Sequence, residues 1–259
     1  MLSILFLLST GVAGAPTQSA QGNEFRWHGP LAEGKTIEII GINGSIDASG
    51  ASGREVEVVA VKRGRKSDPA EVEIKVVEHS GGVTICALYP PGRRDRENEC
   101  LPGGKGRNSS HDNDVTVEWT VKVPRGVVFA GRTVNGDVEA RGLTAEALAR
   151  TVNGSITVET TSWADASTVN GSISARLGRT GWQGDLDLTT VNGRITVDLP
   201  ASAAMEVDAS TVNGSMSTDF PLTIRGRWGP RHMSGTVGSG GRRLNLSTVN
   251  GSMELRRTP

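Results

Sequence analysis

The sequence predicts an all-β protein, a single-stranded parallel β-helix (β-solenoid) with coils of about 17–22 residues and a β-rich N-terminal portion. Three observations predict it: a repeated tetrapeptide, alternation of apolar and polar residues within each copy, and an unusual composition. The 259-residue chain contains 34 glycines and only 4% aromatic residues. This composition favours many tight turns and a core of small aliphatic side chains.

The tetrapeptide Thr-Val-Asn-Gly occurs six times, and successive asparagines are 18, 17, 22, 21 and 37 residues apart. The last interval is double, and we expect a degenerate copy at 233–237, with Ser234 in place of asparagine, to divide it. An upstream copy at 42–46 indicates that the N-terminal half shares the architecture. The asparagines of the six copies are Asn135, Asn153, Asn170, Asn192, Asn213 and Asn250.

Alternation with a period of two runs through each copy and predicts a half-buried strand. A unit of this length cannot bury its apolar face alone, so neighbouring units are expected to stack. In the copy around Asn153 the alternation predicts one face made of Val152, Gly154, Ile156 and Val158, and an opposite face made of Thr151, Asn153, Ser155 and Thr157.

Stacking of parallel coils explains why the asparagine itself recurs. Equivalent residues of parallel neighbours lie about 4.8 Å apart, so their side-chain amides can bond to one another in a structural ladder. The alternative is an antiparallel meander with Asn-Gly type I′ turns. It explains the dipeptide, but it does not explain why the flanking threonine and valine recur as well.

The chain divides into three parts. Residues 1–15 have the apolar run and small-residue ending of a secretory signal peptide, with cleavage near Ala15 or Ala20. A retained anchor is the alternative, although the run is short for a membrane span. Residues 24–123 form an N-terminal β-rich part with a polar loop at 86–114, and residues 124–257 form the repeat solenoid. Charges at 253–259 are expected to protect the last strand against edge-to-edge pairing.

The two cysteines, Cys86 and Cys100, lie in the loop region, and export would place them in an oxidising compartment. We expect them to form one disulfide that closes the loop. A metal-binding pair or a nucleophilic thiol is the alternative, and no cluster of histidines nearby favours either.

The Thr-Val-Asn-Gly blocks, the segment 83–90 with its partner Cys100, and the segment 131–138 together resemble a bacterial family of β-strand repeat proteins of the DUF4097 type, known as putative adhesins. The resemblance extends over residues 24–257. It implies an envelope-associated β-helical protein, and it implies no particular activity, because a fold alone does not determine function.

The formal net charge is zero, which argues against a nucleic-acid partner. We expect an exported, monomeric, non-enzymatic adhesin or envelope scaffold with no cofactor, no metal, no span in the mature chain, and an envelope protein or surface glycan as partner. A polysaccharide-active enzyme is one alternative, since it could use carboxylates such as Asp185, Asp187 and Asp198. Self-assembly into a filament is another. The tryptophans that could form a binding strip at the variable corners are Trp163, Trp182 and Trp228.

Overall fold

The computed structural model describes residues 15–93, 95–178, 185–226 and 230–258. The proposed signal peptide therefore lies outside the described residues, apart from Ala15. The second cleavage position considered, Ala20, lies within the first β-strand.

The described residues form 22 β-strands and two short 3₁₀ turns, at Pro69–Glu71 and Pro102–Gly104. The strands of the N-terminal part are β1 (Thr17–Gln21), β2 (Glu24–Pro30), β3 (Thr36–Ile40), β4 (Ile46–Ala51), β5 (Glu55–Arg63), β6 (Glu73–His79), β7 (Gly82–Leu88) and β8 (Thr116–Pro124). The strands of the repeat part are β9 (Val128–Arg132), β10 (Val138–Leu143), β11 (Ala147–Arg150), β12 (Ile156–Thr160), β13 (Ala164–Ser167), β14 (Ile173–Leu177), β15 (Leu186–Thr189), β16 (Ile195–Pro200), β17 (Met205–Asn213), β18 (Met216–Thr218), β19 (Thr223–Arg225), β20 (Arg231–Val237), β21 (Arg243–Asn250) and β22 (Met253–Thr258).

The strands form two 11-stranded sheets, and the chain alternates between them. Sheet A has the order β1-β2-β5-β8-β4-β10-β12-β14-β16-β22-β18, and sheet B has the order β19-β20-β17-β21-β15-β13-β11-β9-β3-β7-β6. Each regular coil contains one strand of each sheet, joined at one corner by Thr-Val-Asn-Gly. Because equivalent strands pair in parallel and in register, the predicted solenoid is confirmed and the antiparallel meander is excluded for the coils.

The core lies between the two sheets and consists of stacked columns of small aliphatic side chains. In sheet A the register aligns Ile46, Val138, Ile156, Ile173 and Ile195. In sheet B the facing column contains alanines such as Ala149 and Ala166, all fully buried. Alternating large and small residues across the two sheets fill a thin core in which most side chains are aliphatic, and buried aromatic residues such as Trp119 and Phe129 lie in the first coils. This packing accounts for the low aromatic content.

The order of the last two coils differs from their order in the sequence. The C-terminal strands β21 and β22 are inserted between the coil of β15 and β16 and the coil of β17 and β18. The predicted degenerate copy at 233–237 is therefore wrong. This segment is β20, which pairs antiparallel with β17 and forms no coil. β20 pairs with one edge of β17, so only the other edge of β17 is free to pair with β21. The last coil therefore takes the inner position.

The ends of the stack are formed by antiparallel strands and short edges. At one end β2, β5 and β8 pair antiparallel in sheet A, and β6 pairs antiparallel with β7 in sheet B. At the other end the outermost strands, β18 and β19, have only three residues each. The prediction that charges at 253–259 protect an open edge is wrong, because β22 is an interior strand. Short edge strands limit pairing with other chains.

The inserted position of the last coil makes it essential to the stack. Deletion of residues 243–258 would leave both neighbouring coils without their pairing partner on one side. We expect the truncated chain to lose the cooperative thermal transition of the full chain in circular dichroism, and a synthetic peptide of residues 242–258 to restore it in part. A truncated chain that melts cooperatively at the temperature of the full chain would contradict this topology.

Candidate functional site

The Thr-Val-Asn-Gly corner is held together by threonine and glycine. Each threonine is buried, and its hydroxyl donates a hydrogen bond to the glycine carbonyl of the preceding coil, as from Thr151 to Gly136 at 2.9 Å and from Thr168 to Gly154 at 2.9 Å. The glycine is required by close backbone approach. A Cβ on Gly171 would lie 1.9 Å from the carbonyl oxygen of Gly154, so any side chain would force the coils apart.

The asparagines form a continuous column beside this corner. The column runs in the order Asn43, Asn135, Asn153, Asn170, Asn192, Asn250 and Asn213. In every pair the Nδ2 of the later member donates to the Oδ1 of the earlier member, at 2.8–2.9 Å. The upstream copy at Asn43 thus caps the column, and Asn250 precedes Asn213 because of the inserted C-terminal coil.

The valine of the motif faces solvent, and the predicted division of the faces is wrong at this position. Thr151 points inward, whereas Val152 is 38% exposed, and alternation of buried and exposed residues resumes only at Ile156. The chain passes from sheet B to sheet A at Asn-Gly. The alternation of inward and outward side chains in the strand that follows therefore need not extend back to a corner residue such as valine. The resulting column of exposed valines consists of Val152, Val169, Val191, Val249 and Val212. It is one side chain wide, and β-branched residues suit the extended backbone there.

The loop between β7 and β8 lies over the Asn43 end of the column. A disulfide joins Cys86 of β7 to Cys100 of the loop. The side chain of Asn98 also ties the loop together, donating to the carbonyls of Tyr89 and Ser109 at 2.8 and 2.7 Å. The Tyr89 hydroxyl donates to the carbonyl of Val115 at 2.8 Å, and burial raises the pKa of Tyr89 to about 12. The loop is therefore attached to the solenoid at several points.

A buried glutamate provides a further attachment on the outer face of sheet B. Glu38 is 4% exposed and accepts hydrogen bonds from the Arg132 guanidinium at 2.9 Å and the Thr84 hydroxyl at 3.0 Å. It also accepts from the backbone N–H of Gly103 in the loop at 2.7 Å. A buried carboxylate satisfied in this way holds the loop in one position.

The loop, the β5–β6 connection and the Asn43 corner enclose an open groove of about 780 Å³. Its lining is mostly amide and hydroxyl groups, with an apolar floor of Ile42 and Val134. The polar lining residues are Asn43, Lys66, Ser67, Asn108, Ser109, Ser110, Asp112, Asn113, Asp114 and Asn135. A groove of this size accommodates a small ligand or one or two units of a polymer. The sequence had not indicated this site, because its three walls come from segments far apart in the chain.

Two carboxylates in the groove have different environments. Asp114 accepts hydrogen bonds from the backbone N–H groups of Ser67, at 2.9 Å, and of Lys66. These bonds lower the pKa of Asp114, so it stays ionised and joins two walls of the groove. Asp112 has a left-handed backbone conformation (φ 48°), and its carboxylate has no partner in the described part of the chain. Asp112 is therefore free to accept a hydrogen bond from a ligand.

The residues predicted for other sites lie away from the groove. Trp163 is half-buried and packs against the core at the corner opposite Thr-Val-Asn-Gly, while Trp182 and Trp228 lie outside the described residues. Asp185 lies just before β15 of sheet B and Asp187 lies within this strand, whereas Asp198 lies on β16 of sheet A. Asp198 accepts a hydrogen bond from Arg256 at 2.7 Å, and Asp187 accepts one from Asn245 at 2.9 Å. Asp187 and Asp198 are thus on different sheets, and each is engaged by another side chain.

Comparison with known proteins assigns the fold to a family. The family model described as Toastrack DUF4097 matches residues 108–256. The chain belongs to the Toastrack family. This confirms the resemblance drawn from the motif, and the match includes the groove residues from Asn108 onward. The description of the family names no activity.

Two solved structures are similar over most of the Toastrack chain. One, a "putative cell adhesion protein" from Clostridium sporogenes, is 12% identical, covers 90% of this chain and 99% of its own, and has a TM-score of 0.47. The other, a "putative adhesin" from Bacteroides fragilis, is 9% identical, covers 92% of this chain and 98% of its own, and has a TM-score of 0.29. Neither likeness is close enough to carry over a function. No curated protein matches the chain.

Within the described ranges no helix is long and apolar enough to cross a membrane. The same residues contain no group of three or more His, Cys, Asp or Glu side chains that could hold a metal ion.

The close approach at the Thr-Val-Asn-Gly corner predicts a strong effect of adding one methyl group. Gly171→Ala should lower the free energy of unfolding by about 3 kcal/mol, because the new Cβ meets backbone that cannot move without separating two coils. Gly53→Ala is the matched control. A Cβ there has no atom within 4 Å, and we expect a change within about 0.5 kcal/mol. Equal effects of the two substitutions in urea unfolding would contradict the close approach.

Proposed function

We propose that this Toastrack protein is exported and acts as a non-enzymatic attachment protein that binds a glycan of the cell envelope in the groove at the Asn43 end of the column. The observation that carries the proposal is the groove itself. It is a concave site lined mainly by amides and hydroxyls, together with the apolar residues Ile42 and Val134. Such a lining suits sugar units, which present hydroxyl groups at their edges and C–H groups on their faces.

Export is supported by two features that agree. The chain begins with an apolar segment of signal-peptide type. Cys86 and Cys100 are joined, and such disulfides persist mainly in oxidising compartments. Together they favour the periplasm, the envelope or the extracellular medium.

A binding role is favoured over glycoside hydrolysis by the state of the groove carboxylates. A hydrolase needs a general acid whose pKa is raised, and a second carboxylate at a fixed separation. In the groove Asp114 has a lowered pKa and is already bonded to the backbone of Lys66 and Ser67. This leaves Asp112 as a lone acceptor, which suits recognition of a hydroxyl group better than bond cleavage.

Assembly of the protein into a filament is less favoured than a binding role. Extension of the stack requires long, regular edge strands at both ends, which invite pairing with another copy. Here the outer strands at one end are β18 and β19, of three residues each, and at the other end β1 pairs antiparallel with β2. The edges at β18 and β19 offer little backbone for a further parallel coil, and at the opposite end β1 and β6 pair antiparallel with their neighbours and break the parallel order of the coils.

The proposal is tested by binding of the purified mature chain to an array of bacterial surface glycans, combined with an assay for released sugars. We expect binding to a subset of glycans without release of product. Asp112→Gly removes the free carboxylate without straining the left-handed backbone and should weaken binding. Asp47→Ala is the matched control, because Asp47 is exposed on β4 outside the groove, and it should bind as the wild type does.

Three results would overturn the proposed function. The first is binding to no glycan on the array, the second is turnover of a bound polysaccharide, and the third is equal loss of binding in Asp112→Gly and Asp47→Ala.

A further inference from the structure

The connection between β5 and β6 carries a cluster of positive charge. Residues 62–68 contain four basic residues and one acidic residue. Arg63, Arg65 and Lys66 are exposed, and none of the three forms a salt bridge within the described ranges. The fourth, Lys62, donates to a backbone carbonyl farther along the same connection at 3.0 Å. Three positive charges on one short segment, here called the basic turn (residues 63–66), are therefore available to a ligand.

The backbone of the basic turn is held in one conformation by Asp114. The Asp114 carboxylate accepts hydrogen bonds from the backbone N–H groups of Lys66, at 3.1 Å, and of Ser67, at 2.9 Å. The Ser67 hydroxyl in turn accepts from the backbone N–H of Asp114 at 3.3 Å. The turn is so tight that a Cβ on Gly64 would lie 2.2 Å from the carbonyl oxygen of Ser67. Because this backbone is already ordered, a ligand has to order only the side chains, which lowers the cost of binding.

A second cavity, of about 500 Å³, adjoins the groove beside the basic turn. We call it the basic cleft, and its lining residues are Arg63, Gly64, Arg65, Asp114 and Thr116. Asp114 lines the groove as well, so the two cavities share a wall. The chain passes from the basic cleft to the groove between Arg65 and Lys66. A ligand that is longer than one sugar unit can therefore occupy both cavities.

The two cavities differ in their charge. In the basic cleft two guanidinium groups accompany one carboxylate, Asp114, and backbone N–H groups, chiefly that of Ser67, stabilise this carboxylate and lower its pKa. The groove instead contains one ammonium group, Lys66, and two carboxylates, Asp112 and Asp114. Guanidinium groups bind carboxylate and phosphate oxygens in bidentate pairs. Charge complementarity therefore directs an acidic group to the basic cleft and a hydroxyl group to the groove.

We propose that the glycan bound by this protein is acidic, and that Arg63 and Arg65 bind its carboxylate or phosphate group in the basic cleft while an adjacent uncharged unit lies in the groove with a hydroxyl group on Asp112. This inference rests on the proposed function of the groove and names its ligand class. The site has two parts, so it selects a polymer in which an acidic unit is next to a neutral one.

The ligand class is tested on an array that pairs each uronate-containing or phosphate-containing oligosaccharide with its carboxyl-reduced or dephosphorylated form. The wild-type chain should bind the acidic form about tenfold more tightly or better, because the neutral form cannot make charge-assisted hydrogen bonds. The difference should shrink as the ionic strength is raised, because salt screens exposed charges. Equal affinity for the two forms would overturn the acidic class and leave the proposed function standing.

The role of the basic cleft is tested by the double substitution Arg63→Gln/Arg65→Gln, which removes both positive charges and keeps polar side chains. We expect the melting temperature of the wild type, because neither side chain has a salt bridge to lose. Affinity for the acidic oligosaccharides should fall about tenfold or more. Affinity for their neutral forms should stay within about twofold, because the groove itself is unchanged.

The double substitution Arg54→Gln/Arg243→Gln is the matched control. It changes the net charge by the same amount at two exposed arginines that line neither cavity, and it should bind the acidic oligosaccharides as the wild type does. Equal loss of affinity in the two double variants would overturn the role of the basic cleft, as would wild-type affinity in Arg63→Gln/Arg65→Gln. Absence of binding to every glycan, acidic or neutral, would overturn both proposals together.

Discussion

The approach of successive backbones at the Thr-Val-Asn-Gly corner is the constraint on which the rest of the structure depends. The glycine of each coil lies so close to the carbonyl of its neighbour that no Cβ fits, and the buried threonine hydroxyl bonds to that same carbonyl. This contact fixes the distance and the register between coils. The asparagine amides then fall at hydrogen-bonding distance, and the apolar residues of the following strands align into core columns.

The repeat allowed much of the fold to be predicted, because identical residues gain from stacking only in a parallel arrangement. It predicted the solenoid, the two-residue periodicity of the strands and the alignment of Asn43 with the later copies. It could not predict the order of the coils. A parallel stack of near-identical units pairs equally well in either order, so the inner position of Asn250 depends on β20 occupying one side of β17. Ser234 was misassigned for the same reason.

The candidate site was less predictable than the fold. The loop that carries Cys100 was recognisable as a polar insertion, but nothing in its composition shows that it folds over Asn43. The groove arises where the loop, Lys66 and the first corner of the stack meet, and these are more than 20 residues apart in sequence. A pattern of period two also could not predict that Val152 faces solvent, because the chain passes from one sheet to the other within the motif.

The asparagine column follows directly from the close approach of the coils, and its hydrogen bonds can be measured in solution by NMR of the side-chain amide groups. We expect slow hydrogen exchange and couplings across the Nδ2–H···Oδ1 bonds for Asn135, Asn153, Asn170, Asn192, Asn250 and Asn213. Fast exchange of these six amides, with no coupling across the Nδ2–H···Oδ1 bonds, would contradict the column.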